Sequence, residues 1–399
     1  MSVNNRAPGE RSLSTYTRAT VMWIIAAVGG ALSVLTGLVP AESAVDALVR
    51  VAPVLVFLVA VTVLAELCDA AGVFDFAARK AAQAARGHTR LLFILTVGLA
   101  TATTVMLSLD TTAVLFTPVV LAMCAQLDLD PLPFAMATVW LANTTSLLLP
   151  VSNLTNLLAV GRLDLGTLGF AERMWPPTLA AAAVTTAVLL LLYRRRLRGR
   201  YSLPGMPQIS DRLLFLICAT SCALFTVLIL AEVNVTVAAV TCAGPPLVGF
   251  AVRQRNGLRW SLVPWRLVFL VAGLFLIVEA AYRHGLDRAL NAAAGAGGSS
   301  PDLLRLAATA VGGANAVNNL PAYLALEPVT TGSQDRLLAL LIGVNAGPLL
   351  LVWGSLATLL WRDRCRARGV HISGRGFAAA GLLLVPVVVP IAVLALQLT

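Results

Sequence analysis

Apolar positions run along this chain in blocks of about twenty residues: 19–40, 52–69, 174–193, 213–230, 234–252, 265–283 and 376–397. A helix rises about 1.5 Å per residue and the hydrocarbon core of a bilayer is about 30 Å thick, so roughly 20 such residues cross it. The length and low charge of these blocks predict membrane-spanning helices in preference to barrel strands. The block 19–40 carries no small-residue cleavage signal and reads as a retained helix behind a polar tail, 1–18.

Between the blocks the pattern changes in the same way twice. The hexapeptide LVFLVA stands at 55–60 and again at 267–272, each followed by a Glu (Glu66, Glu279) and a Gly (Gly72, Gly285). An amphipathic stretch comes next, 74–87 and 284–296, then an apolar segment interrupted by a polar apex. The first of these segments is 91–126 with its apex at Asp110, Thr111 and Thr112; the second is 303–326 with its apex at 314–319. The second is too short for two crossings, so both read as re-entrant hairpins, which add no net crossing.

A further pair follows: NTTSLLLPVSNLTNLL from Asn143 lies ungapped over NAGPLLLVWGSLATLLW from Asn345. The span 134–162 is about 43 Å long if wholly helical, more than the bilayer needs, and it holds Pro150 among Asn, Ser and Thr. Those residues compete with the backbone for hydrogen bonds, and Ser152 or Asn153 can cap a new half-helix. Gly347-Pro348 and Gly354-Ser355 repeat the interruption. The chain therefore reads as two halves in matching order. The expected layout is a tail 1–18, a first membrane repeat 19–200, a linker 201–212 and a second repeat 213–399.

Counting crossings gives nine, with five steps between the two LVFLVA helices, so the halves are inverted. Charge sets the orientation. Of the 29 Lys and Arg, 22 fall in segments that are cytoplasmic if the N-terminus is inside, and the C-terminus is then outside. The predicted fold class is an all-α polytopic membrane protein, an inverted-repeat transporter with two re-entrant hairpins and two broken helices. Composition agrees: 58% of residues are hydrophobic, 12% are charged and the mean hydropathy is +0.85. The formal charge of +10 sits in interhelical loops, so it reports topology and does not point to nucleic acid.

Candidate chemistry gathers at the breaks. Asn143, Thr144, Thr145, Ser152, Asn153 and Thr155 come from the first, Asn315, Asn318 and Asn319 from the second hairpin, and Asn345, Ser355 and Thr358 from the second break. Any one of them also serves as interhelical hydrogen-bond glue; their placement at matched positions points to a substrate site. Asp110 differs, because a carboxylate at this depth is costly and is kept for function; with Thr111 and Thr112 it is the ion-coupling candidate. Glu66, Asp69 and Glu279 lie near helix ends, and His88, His284 and His371 in or beside loops. The six Cys show no CxxC pair and read as apolar packing residues, with neither a disulfide framework nor a metal site. No HExxH, GxSxG or protease-like aspartate pair appears, so an enzyme is not expected.

The segments LSLDTTAVLFTPVVLA, ANTTSLLLPVSNLTNLL, NNLPA and GVNAGPLLLVWGSLATLLWR resemble the hairpins and broken helices of the ArsB-type arsenite and antimonite efflux permeases. These belong to the ion-transporter superfamily, with the sodium/dicarboxylate symporters. The resemblance runs from about residue 51 to 396. It implies a multi-pass carrier of the cell (plasma or inner) membrane that exports As(OH)3 or Sb(OH)3 in exchange for protons and needs no bound cofactor. It also implies a homodimer and a soluble ATPase partner as associations seen among relatives, and ten crossings where this chain shows nine. A neutral polyhydroxyl solute suits amide and hydroxyl partners. The alternatives that the residues leave open are a sodium- or proton-coupled symporter of a dicarboxylate- or sulfate-like anion, and a sodium/proton antiporter.

Overall fold

A computed structural model describes residues 13–203, 205 and 209–398. Most of the expected tail and part of the linker lie outside them. Among the described residues, seventeen α-helices carry the fold and there is no β-strand. The first repeat comprises α1 (Leu13–Leu35), α2 (Ala41–Ala70), α3 (Val73–Ala84), α4 (Thr89–Met106), α5 (Leu109–Gln126), α6 (Pro131–Thr144), α7 (Leu154–Leu163) and α8 (Thr167–Leu192). Then come α9 (Arg212–Leu230) and α10 (Val235–Arg253). The rest are α11 (Trp265–Arg283), α12 (Leu286–Ala294), α13 (Ser300–Val317), α14 (Asn319–Leu326), α15 (Gln334–Ala346), α16 (Leu356–Ala367) and α17 (Gly374–Ala395).

The order of α1–α8 repeats in α10–α17, element for element. Even the joints agree: Gly72 and Gly285, which lead into the amphipathic helices, sit at φ 80° and 95°, a left-handed conformation that glycine adopts without a Cβ clash. Helix α9 has no counterpart among the described residues of the first half.

Packing follows the same symmetry. Helix α4 lies on α6 as α13 lies on α15, and α8 meets α17 across the pseudo-axis. The leading helices are exchanged: α1 packs along α11, in the second half, and α10 packs along α2, in the first. Apolar residues on the outer faces, such as Ile25, Leu32, Leu216, Val227, Leu382 and Leu383, remain exposed, as lipid-facing positions do. The α9–α10 pair is fastened at one end, where Asp211 caps α9 by accepting from the Leu213 and Leu214 N–H groups and pairs with Arg253 at 2.8 Å. The Arg253 guanidinium and the Leu214 N–H hold its carboxyl below the usual carboxylate range.

Eight helices among the described residues are long and apolar enough to cross a membrane, α4 and α5 included. The segment expected as the first re-entrant hairpin is two helices of 18 residues, each long enough to cross by itself. Its chain breaks at Leu107 and Ser108, just before the expected apex, because the Ser108 side chain accepts from the Thr111 N–H and starts a new helix. In the second hairpin the break falls on Asn318, whose φ of 94° lies in a region that favours glycine.

The α1–α11 contact joins the two halves and depends on absent side chains. A Cβ on Gly273 would lie 2.1 Å from the Ala26 carbonyl oxygen, and one on Gly30 would lie 2.9 Å from the Gly273 Cα. Backbone against backbone leaves nothing that can rotate away. Gly273→Leu is expected to cost at least about 1–3 kcal/mol through overpacking and to lower the yield of monodisperse protein in gel filtration, whereas Gly98→Ala, with nothing within 4 Å of its Cβ, is expected to be neutral. Equal yields for the two variants would show that this contact does not hold the halves together.

Candidate functional site

Both broken helices open where the residue pattern places them. Helix α6 ends at Thr144, the chain unwinds through a single 3-10 turn, Pro150–Ser152, and α7 begins at Leu154 with Asn153 as its cap, accepting from the Thr155 N–H. In the second half α15 ends at Ala346, Gly347–Leu350 form the 3-10 turn, and α16 begins at Leu356 behind Ser355. The polar side chains of both breaks are buried.

Much of the first break is satisfied by a network centred on one side chain. Asn345 Oδ1 accepts from Asn153 Nδ2 and from Thr155 Oγ1, both at 2.9 Å, and Asn345 Nδ2 donates to Asn156 Oδ1 at 2.8 Å. Asn156 Nδ2 in turn donates to the carbonyls of Ser146 and Leu149, two peptide groups of the unwound loop. One residue of the second half thus orders the break of the first. Asn156 and Ser146 were not among the sequence candidates, although Asn156 stands in the quoted motif at the position matching Thr358.

The reciprocal network is not made. At the positions that match the bonded set by repeat order, Asn143 Oδ1, Ser355 Oγ and Thr358 Oγ1 are buried without a hydrogen-bond partner. Asn143 turns its amide back on its own helix, donating to the Val139 carbonyl at 2.8 Å. The two breaks have the same backbone design, with one filled and the other open.

A cavity of about 200 Å³ lies beside them. Its polar lining is Asp110, Asn153, Thr155, Asn318, Asn319 and Ser355, and its apolar walls include Ile25 of α1 and Leu270 and Ile277 of α11. These six come from the N-terminal ends of α5, α7, α14 and α16, where free N–H groups and the helix dipole leave partial positive charge. Among the described residues, no Arg or Lys lines the cavity. Immediately after Asp110 the helix widens into a π turn, Thr112–Phe116, and Thr117 Oγ1 donates to the Thr112 carbonyl at 3.0 Å. A π turn of this kind is often found at functional sites, and nothing in the residue pattern announces it.

The remaining candidates are placed elsewhere. Thr144 and Thr145 donate to carbonyls one turn back, Trp140 and Leu141. Ser152 donates to the Val105 carbonyl and so ties the first break to the end of α4. Asn315 bridges Val311, Gly347 and Leu351 as a staple of the second break. Thr111 meets Ser108, and Thr112 meets Thr104, inside the hairpin.

Residues 16–358 match the family described as "CitMHS: Citrate transporter". The chain is 30% identical over 371 residues to an "Arsenical pump membrane protein" of Yersinia enterocolitica, with 86% of this chain and 85% of that protein covered. Proteins of the same description from Escherichia coli and its strain K12 are 27% and 28% identical, each over 86% of this chain and 85% of their own. Among solved structures, the Alcanivorax borkumensis YdaH transporter superposes with a TM-score of 0.57 at 14% identity, covering 97% of both chains.

Removing Asn345 would leave Thr155 Oγ1 and Asn156 Oδ1 without their buried partner and Asn153 Nδ2 with only Ser146 Oγ at 3.4 Å, each orphaned group costing about 1–3 kcal/mol. Asn345→Ala is therefore expected to lower the thermal unfolding midpoint of the detergent-purified protein well below that of Asn143→Ala, whose Oδ1 has no partner to lose. Equal midpoints would deny Asn345 its role as the link between the halves.

Proposed function

Given that this chain belongs to the citrate-transporter (CitMHS) family, we propose that it is a secondary carrier that exports arsenite or antimonite in exchange for protons. The observation that supports this most is the lining of the cavity: amides, hydroxyls and helix N-termini around a single carboxylate, with no cation. As(OH)3 is a small neutral solute whose hydroxyls both donate and accept. Asn153, Thr155, Asn318, Asn319 and Ser355 offer matching groups, and Ser355 Oγ has no protein partner to give up. The relatives named as arsenical pumps point the same way.

Exchange follows from competition at Asp110. Ionised, its carboxylate accepts a hydroxyl of the solute and offsets its own cost of burial. Protonated, it presents a neutral group and holds that solute less well. A proton arriving from one side thus favours release, and its departure on the other side favours reloading. The two breaks and two hairpin tips supply the cavity walls that a carrier must open alternately. We place the protein in the cell membrane with its N-terminus inside and its C-terminus outside.

A second reading is an anion carrier, supported by the four helix N-termini around the cavity and by the description of the family. A carboxylate substrate would then face Asp110 with no Arg or Lys to neutralise it, so a bound sodium ion would be required. Sodium/proton exchange would use the same Asp110 and leave the amide lining without a task.

In arsenite-sensitised cells the wild-type chain is expected to reduce arsenite accumulation several-fold relative to empty vector, and Asp110→Asn to return it to the vector level with normal amounts of protein in the membrane. No difference between wild type and vector rejects the arsenite reading. Sodium-dependent citrate uptake into proteoliposomes would establish the anion carrier in its place.

A further inference from the structure

Cys68 meets Cys218 and Cys222, one helical turn apart and about 150 residues away in sequence, where α2 packs on α9. Cys68 Sγ lies 3.2 Å from Cys222 Sγ and 3.5 Å from the Cys218 carbonyl oxygen, while Cys218 Sγ donates to the Leu67 carbonyl at 3.6 Å. All are free thiols; Cys68 and Cys218 are buried and Cys222 is partly accessible. No group of three or more His, Cys, Asp or Glu side chains among the described residues is arranged to hold a metal ion. A ligand here is therefore one that two sulfurs satisfy.

We propose that Cys68 and Cys222 form a dithiol site for trivalent arsenicals, separate from the transport cavity. Sulfur bonds to a thiophilic centre are about 2.3 Å long in the zinc case, so two sulfurs on one atom sit less than twice that distance apart. The Cys68–Cys222 separation of 3.2 Å already meets this condition, with no backbone movement needed.

The chemistry suits a low-dielectric place. For an organoarsonous acid, RAs(OH)2 and two thiols give RAs(S–Cys)2 and two waters. Two As–S bonds form and two As–O bonds break, each thiol proton leaves in a water molecule, and arsenic stays trivalent, so no oxidant or reductant takes part. Reactants and product are all neutral, so the adduct buries no charge. Cys222 is the partly accessible thiol of the pair, and Cys68 is buried. Arsenicals thus reach Cys222 first. Once bound, they join α9 to α2.

This site does not depend on the exchange reading, because binding is read without transport. Purified full-length protein in detergent, kept reduced with a phosphine, would be mixed with one equivalent of phenylarsonous acid and its intact mass measured. Wild type is expected to gain one phenylarsenic unit per chain, released by 2,3-dimercaptopropanol. Cys68→Ala and Cys222→Ala are each expected to gain none, Cys124→Ala and Cys365→Ala to gain one, and Asp110→Asn to gain one whether or not it transports. Protection of Cys222 from N-ethylmaleimide in the unmutated protein reads the same site without relying on a variant that must fold. An unchanged wild-type mass, an adduct that survives Cys68→Ala, or Cys222 labelled equally with and without the arsenical would overturn the proposal.

Discussion

In hydrocarbon every backbone N–H and C=O must be met by protein, so a helix can be broken at that depth only where side chains are arranged to receive what the break releases. Asn345 meets that constraint for the first break. Its amide engages Asn153, Thr155 and Asn156, and Asn156 then receives the Ser146 and Leu149 carbonyls. The unwound loop, the start of α7 and part of the cavity wall all depend on that arrangement. Because the hub belongs to the other half of the chain, the first half cannot complete its own break.

The same exchange governs the scaffold. Helix α1 leans on α11 and α10 on α2, so each repeat carries a helix that the other needs. Inverted symmetry gives the cavity its four helix N-termini without any cationic side chain. Departure from symmetry then gives it character. Ser355 replaces an Asn, Ala357 replaces a Thr, and the reciprocal hydrogen bonds of Asn143 and Thr358 are missing, which leaves unpartnered groups on one side of an otherwise satisfied region. Among the described residues, Asp110 is the one carboxylate that lines the cavity.

The residue pattern made much of this legible for a simple reason: membrane helices must be long and apolar, and a break must be polar. The paired Asn143 and Asn345, and Pro150 against Gly347-Pro348, were enough to place the two broken helices in an all-helical membrane fold. A resemblance to arsenite permeases rested on the same segments and agrees with the relatives that the chain matches. Harder to read was which polar residue does what. Thr144 and Thr145 look like site residues in the motif, yet each bonds one turn back within α6, as any Thr in a helix can. Asn156 looks peripheral and is central.

Sequence by itself determined the local physics: which segments are long and apolar enough to cross a membrane, where polar residues interrupt them, and that the interruptions come in pairs. Only the tertiary structure decided which interruptions face each other, because the contacts that matter join residues such as Asn153 and Asn345, 192 positions apart. It also decided that Cys68 meets Cys218 and Cys222 at one helix crossing and that a π turn follows Asp110. Periodicity and capping act over one or two turns of helix and fix each element alone. Partner choice between elements depends on their mutual docking, and that lies beyond the reach of any local pattern.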